Sequence, residues 1–182
     1  MQHAIGLIES TSIAKGIEIS DVMAKRAEVT LLVAKTVCPG KYIVLVGGDV
    51  AAVTQSVDAG RELAPEVVVD YFIIPNIHPD ILPAISGGNV LDNVMAIGVI
   101  ETFTVASCID AADVAVKAAL VTPLRLHLAF GIGGKAHVVL TGEVGDIKTA
   151  VRAGAETAAS RGMLVQQVVI PRPNEQVVKS LL

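Results

Sequence analysis

The sequence predicts an α+β chain: two tandem β-α-β-β-α-β domains, each a split β-α-β arrangement of the ferredoxin-like kind. Three observations predict it. First, Ala4-Ile5-Gly6-Leu7-Ile8-Glu9 returns as Ala96-Ile97-Gly98-Val99-Ile100-Glu101, and Asp21-Val22-x-x-Lys25 returns as Asp113-Val114-x-x-Lys117, both 92 positions on. Second, Lys41, Gly48 and Val57-x-Ala59-Gly60 return as Lys135, Gly142 and Val151-x-Ala153-Gly154, now 94 positions on. The step of two places an insertion in the glycine-rich stretch 130–134 of the second copy. Third, apolar spacing switches between the two-residue period of strands and the three-to-four spacing of helices. A repeat of about 90 residues is too long for a solenoid unit and suits a small domain. The domains are expected at 1–88 and 94–182.

Residues 4–9 read as a short apolar strand. Ser10, Thr11 and Ser12 follow as helix N-cap candidates. The first helix is expected to run to about Ala27, with the stripe Ile13, Ile17, Ser20, Ala24, Ala27. The second copy repeats that stripe as Val105, Ile109, Ala112, Val116, Ala119. Steps of four and three mark one helix face. The second strand covers about 29–37; in its counterpart Leu124, Leu126 and Leu128 alternate with Arg125 and His127, as in a half-buried strand. A tight loop follows, Cys38-Pro39-Gly40 in copy one and Phe130-Gly131-Ile132-Gly133-Gly134 in copy two. The third strand runs from Lys41 to Val46. Gly47-Gly48 turns the chain and Asp49 caps a second helix with the stripe Val50, Val53, Val57, Gly60, Ala64. Copy two repeats it as Val144, Ile147, Val151, Gly154, Ala158. The fourth strand is Val67–Ile74, ended by Pro75-Asn76-Ile77-His78-Pro79. A short helix is expected near Asp80–Ile85, and Ser86-Gly87-Gly88-Asn89 links the copies.

The 182 residues are 52% hydrophobic, yet include only two Tyr, three Phe and no Trp. Small aliphatic side chains must therefore fill the core, with elements lying close together. A unit of about 90 residues buries a modest fraction of its surface, so the copies are expected to lean on each other and on further subunits. No apolar run is long enough to cross a membrane, and the N-terminus lacks the pattern of a secretion signal. Two cysteines in unrelated surroundings make no disulfide framework. The expected setting is cytoplasmic and reducing. A net charge of −4 without basic blocks argues against nucleic acid.

Several motifs invite chemistry. Gly131-Ile132-Gly133-Gly134-Lys135 fails as a Walker loop: Ala129 stands where glycine is needed, Ala136 where Ser or Thr is needed, and the loop joins two strands. His127 and His137 flank that loop, but two ligands are too few for a structural zinc site. No Ser/His/Asp set or paired-acid site stands out. Cys108 lies on a helix beside Ile109 and reads as a packed residue. Cys38 has two readings. Strand phase puts it in step with Leu32 and Ala34, as a small buried hydrophobe. Alternatively its thiolate, placed in a Pro-Gly turn, is a metal ligand.

Several stretches resemble bacterial microcompartment shell proteins. They are the order of elements, the Asp-Val-x-x-Lys helix, the short loop before a Lys-led strand, and Ile170-Pro171-Arg172-Pro173. The tandem copy is similar to the trimer-forming subclass, whose three chains imitate a six-domain hexagonal tile. Lys35-Thr36-Val37-Cys38-Pro39-Gly40-Lys41, Asn76-Ile77-His78-Pro79 and Ala129-Phe130-Gly131-Ile132-Gly133-Gly134-Lys135 look most like propanediol-utilisation shell proteins that carry a 4Fe–4S cluster at the central pore. The resemblance implies a pseudohexameric homotrimer in a cytoplasmic microcompartment shell. In it, Val37, Pro39, Gly40, Phe130, Gly131, Ile132, Gly133 and Gly134 line the pore, and Lys25, Lys117 and Arg172 make contacts at the tile edge. It also implies one 4Fe–4S cluster per trimer, held by Cys38 of three subunits. Partners would be other shell proteins and an encapsulated redox enzyme, with no nucleic acid and no membrane. Two departures stand out: Asn76-Ile77-His78 replaces the Arg-Pro-His of single-domain tiles, and Asn174 replaces its His in copy two. The alternatives are a cluster-free tile with a metabolite-conducting pore, and a small-molecule-binding or sensor protein on a ferredoxin-like fold.

Overall fold

A computed structural model describes residues 4–87 and 94–181. The expected linker residues Gly88 and Asn89, and the outermost ends of the expected domains, lie outside the described residues. In chain order the first copy holds β1 (Ala4–Ser10), α1 (Ile13–Arg26), β2 (Thr30–Val37), β3 (Lys41–Gly48), α2 (Val50–Leu63), a single 3₁₀ turn (Pro65–Val67), β4 (Val68–Ile74) and α3 (Ile81–Ile85). The second holds β5 (Ala96–Thr102), α4 (Val105–Ala118), β6 (Val121–His127), β7 (Ala136–Gly142), α5 (Val144–Ser160), β8 (Leu164–Pro171) and α6 (Glu175–Leu181).

The strands form two four-stranded sheets, ordered β2-β3-β1-β4 and β6-β7-β5-β8. Every neighbouring pair is antiparallel. The registers repeat with the sequence: Ala4 faces Gly48, and Ala96 faces Gly142. The β2–β3 ladder slips between Leu31 and Val33, and the β6–β7 ladder slips at the equivalent place between Pro123 and Arg125. The slip resets the in-out alternation of β2. Ala34 is consequently exposed, and Val37 rather than Cys38 takes the buried position at the strand end. A further shift of two separates the copies before their last strands, where Val68 opposes Ser10 but Leu164 opposes Thr102. The longer α5, 17 residues against 14 in α2, adds to the chain at that point.

The molecule divides into two compact units. Unit 1 comprises Met1–Ile77, Thr104–Ala106 and Ala129–Gly134; unit 2 comprises His78–Phe103, Ser107–Leu128 and Lys135–Leu182. The core of unit 1 joins Ala4 and Ile8 of β1 to Ile19 and Met23 of α1, Val44 and Val46 of β3, and Val53 and Val57 of α2. Gly6 lies between Ala4 and Ile8 on this face, where a Cβ would strike Val57 and Val53. Gly98 stands in the same relation to Val151 and Ile147 in unit 2. The glycine of the repeated hexapeptide thus lets a valine-bearing helix lie flat on the central strand. In unit 2 a smaller cluster of Ile97, Leu124 and Val139 is covered by Val178 and Leu181 of α6, and α3 packs on β6.

One helix departs from expectation. The stripe Ile13, Ile17, Ser20, Ala24, Ala27 is not the buried face of α1, which instead buries Gly16, Ile19, Ser20 and Met23. Ile13 and Ile17 are 39% and 56% exposed. In α4 the equivalent Val105 and Ile109 are fully buried, together with Ala111, Ala112 and Ala115. The apolar stripe is real in both helices, but only the second copy has it covered.

Candidate functional site

Two loops of unit 1 carry the residues singled out by sequence. The β2–β3 turn is Cys38-Pro39-Gly40, closed by the Gly40 amide donating to the Val37 carbonyl at 3.1 Å. Gly40 has φ +91°, a conformation glycine adopts without strain. The longer loop after β6 lies against this turn. The Cys38 amide donates to the Ala129 carbonyl at 3.2 Å. A Cβ at Gly134 would sit 2.6 Å from Pro39 Cδ and 2.8 Å from the Cys38 carbonyl oxygen, so glycine is required there by space as well as by its φ of +88°. Ala129 itself is held at φ +58°, an uncommon state for a residue with a side chain. Within this cluster Cys38 is half-buried, Pro39, Gly40, Gly131 and Gly133 are exposed, Ile132 is half-buried, and Gly134 is buried. Phe130 is 73% exposed, whereas Val37 is buried beneath the turn. Cys108 is fully buried on α4, the packed position expected of it.

Of the residues assigned to an edge, Lys25 belongs to unit 1 and Lys117 and Arg172 to unit 2. Lys25 pairs with Asp21 at 2.7 Å, both well exposed. Lys117 pairs with Asp113 at 2.5 Å, and the nearly buried Asp113 accepts the His78 amide on its other oxygen at 2.8 Å. Arg172 is exposed, with φ +49° and its amide donating to the Met95 carbonyl at 3.0 Å.

Sequence reasoning missed a charged site in unit 1. Glu9, at the end of β1, is fully buried. Its Oε2 accepts the Val105 amide at 2.7 Å and the Ala106 amide at 3.3 Å, the first-turn donors of α4. Its Oε1 pairs with the Lys41 ammonium. Beside it, Thr104 donates its hydroxyl to Asp70 at 2.5 Å. Burial pushes the Glu9 carboxyl up, against the pull of Lys41 and of the Ala106 and Val105 amides. The signal was present in the sequence, since Glu9 and Lys41 both recur as Glu101 and Lys135. That second pair is also formed, at 2.6 Å, but remains partly exposed.

On unit 2, His127 and His137 oppose each other across β6 and β7. Their rings stack with centroids 5.3 Å apart and planes 5° from parallel. Among the described residues no group of three His, Cys, Asp or Glu side chains is placed to hold a metal ion. Burial lowers the pKa of His137, as do His127 and Arg125, while Glu101 opposes them. An unfolded chain would therefore take up a proton near 6.5 that the folded ring refuses until lower pH. This contribution to stability is complete above 6.5 and is lost as pH falls through that value toward the lowered one. The midpoint of thermal melts should fall between about pH 7.5 and about pH 5.5. The fall should be smaller in His137→Gln; equal slopes would show that this ring does not contribute.

Comparison with known proteins fits this geometry. The family model described as "BMC domain" matches residues 4–77 and again 96–173. The bacterial microcompartment shell protein PduT of Citrobacter freundii is 51% identical over 182 residues, spanning 100% of this chain and 99% of that protein. The shell protein PduA of Citrobacter freundii is 37% identical over 82 residues, 44% of this chain but 88% of its own length, as expected when one copy aligns with a single-domain relative. The crystal structure of a microcompartments protein from Desulfitobacterium hafniense superposes with a TM-score of 0.88 at 51% identity, covering 98% of this chain and 99% of that one. These matches set aside the sensor reading. The chain belongs to the BMC-domain family of bacterial microcompartment shell proteins, in its tandem two-domain form.

Proposed function

We propose that this shell protein tiles its microcompartment as a homotrimer of pseudohexameric outline and holds one 4Fe–4S cluster on Cys38 from three subunits. The observation that carries the cluster is the placement of Cys38. It is half-buried in a turn that the exposed Pro39 and Gly40 complete, where a thiolate can meet a ligand, while Cys108 is sealed in the core. Iron–sulfur clusters are ordinarily held by several cysteine thiolates. One chain offers a single thiol at this turn, so the residues fit such a group only when copies of the chain share it. When bound, the cluster supplies one-electron transfer at a potential set by its hydrogen bonds and exposure. The chain's part is to hold the sulfur. Pro39 fixes the turn, and Gly40, Gly131 and Gly133 allow close approach of backbone. Phe130 and Ile132 bring apolar surface to the same loops, and the buried Val37 and Gly134 anchor them. Together these residues would line the pore, and an encapsulated redox enzyme of propanediol metabolism would be the electron partner.

Lys25, Lys117 and Arg172 are proposed to join tile to tile. Lysine stems would pack across a seam and the guanidinium would donate to backbone carbonyls of a neighbour. Converting Lys25 and Lys117 to Asp should abolish extended sheets in electron micrographs while leaving the trimer intact. Sheets that persist would overturn the edge assignment. Iron and sulfide content of protein purified without oxygen separates this reading from a cluster-free tile that conducts a metabolite.

A further inference from the structure

Equivalent residues of the two copies differ in exposure in a complementary way. On the helices, Thr104, Val105, Ala106 and Ile109 are buried, while their counterparts Ser12, Ile13, Ala14 and Ile17 are half-buried or exposed. On the strands the bias reverses. Leu7, Glu9, Asp70 and Phe72 are buried, while Val99 and Glu101 are only partly buried and Gln166 and Val168 are exposed. The chain therefore leaves open one helix face from copy one and, in copy two, the end of the sheet face that carries Glu101, Gln166 and Val168, beyond the part at Ile97 that α6 covers. Unit 1 shows how such faces join: the Glu9 carboxylate accepts the Val105 and Ala106 amides, and Thr104 donates to Asp70.

We propose that Glu101 of one chain accepts the Ile13 and Ala14 amides of a second copy of this chain, with Val99 and Val168 covering the exposed Ile13 and Ile17. The chemistry is complementary. Ile13 and Ala14 are first-turn positions of α1, whose amides have no intrahelical acceptor, and Ser12 Oγ is engaged with the Lys15 amide at 3.3 Å. The helix start carries partial positive charge that favours a carboxylate. Ser12 would donate to Gln166 as Thr104 does to Asp70. Lys135, already 2.6 Å from Glu101, would stay paired with that carboxylate as it is covered, as Lys41 is paired with the buried Glu9. Because the two faces differ, the contact is head-to-tail, and contacts of that kind close into rings when the rotation allows. The inference rests on the trimer reading above and names the contact that closes it.

The test uses the full-length chain and sedimentation velocity across a concentration series. Glu101→Lys should weaken self-association on the order of 100-fold, and Ile13→Asp should do the same from the opposite face. Mixed one to one, the two variants restore one good contact, between the α1 face of Glu101→Lys and the sheet face of Ile13→Asp. A heterodimer is expected, which misfolded chains would not form. A parent protein that is monomeric throughout overturns both the trimer and this contact. A parent trimer with Glu101→Lys still trimeric, or a mixture that stays monomeric, overturns the contact alone.

Discussion

Replacing Cys38 by Ser is expected to abolish iron binding altogether. Protein purified without oxygen should carry four irons and four sulfides for every three chains, and the variant should carry none and lose the brown colour. The effect is all-or-none because threefold sharing turns one substitution into the loss of three sulfurs at once. Neutral hydroxyls in their place are poor ligands for iron, which these clusters hold through thiolates. Cys108→Ser is the matching control, since that thiol is fully buried away from the turn, and its iron content should be that of the parent. The trimer should survive in Cys38→Ser, because Cys38 holds the neighbouring loop through its backbone amide rather than its sulfur. Iron that persists in this variant would place the metal elsewhere.

The largest effect on stability is expected at Glu9. Glu9→Ala removes the acceptor for two first-turn amides of α4 and strands the Lys41 ammonium, whose side chain is only 13% exposed. Breaking one partner of a buried pair costs about 3–5 kcal/mol, to be read as a drop in the urea midpoint. Intact, the pair is worth far less, because the same burial that protects it penalises both charges. The upward displacement of the Glu9 carboxyl has that cause. The sign follows: the folded carboxyl holds its proton to higher pH than the unfolded one, so this group's share of stability declines as pH rises from 4.5 through the raised value. Glu9→Gln with Lys41→Met should therefore recover part of what Glu9→Ala loses, since it leaves no unpaired charge and keeps an amide acceptor. A double variant no better than Glu9→Ala would show that the charge itself holds α4 in place.

The order of elements was legible because the chain states it twice, and each copy corrected the other. Leu124, Leu126 and Leu128 made β6 clear where β2 was ambiguous. The reading of α1 failed for a physical reason. Apolar periodicity reports that a face is sticky, not what covers it, and Ile13 and Ile17 stay open in this chain. The register slip at Leu32 left no mark in residue type, and Pro123 marked only its counterpart in β6, so strand phase put Cys38 inside when Val37 takes that place. The offset of the last strand pair was hidden because Val68-Val69-Asp70-Tyr71 and Leu164-Val165-Gln166-Gln167 share little. Turn chemistry at Cys38-Pro39-Gly40 was visible locally. That residues 129–134 lie against this turn was not, since their contacts depend on tertiary packing. Glu9 was overlooked because a single acid at a strand end reads as solvent-facing until its amide partners, 96 and 97 residues away, are seen.

Native mass spectrometry of protein purified without oxygen puts the shared thiol to the most direct test. One species with the mass of three chains and a single 4Fe–4S cluster is expected. A monomer, or a trimer carrying no mass beyond its polypeptides, would contradict a cluster held in common by three Cys38 residues.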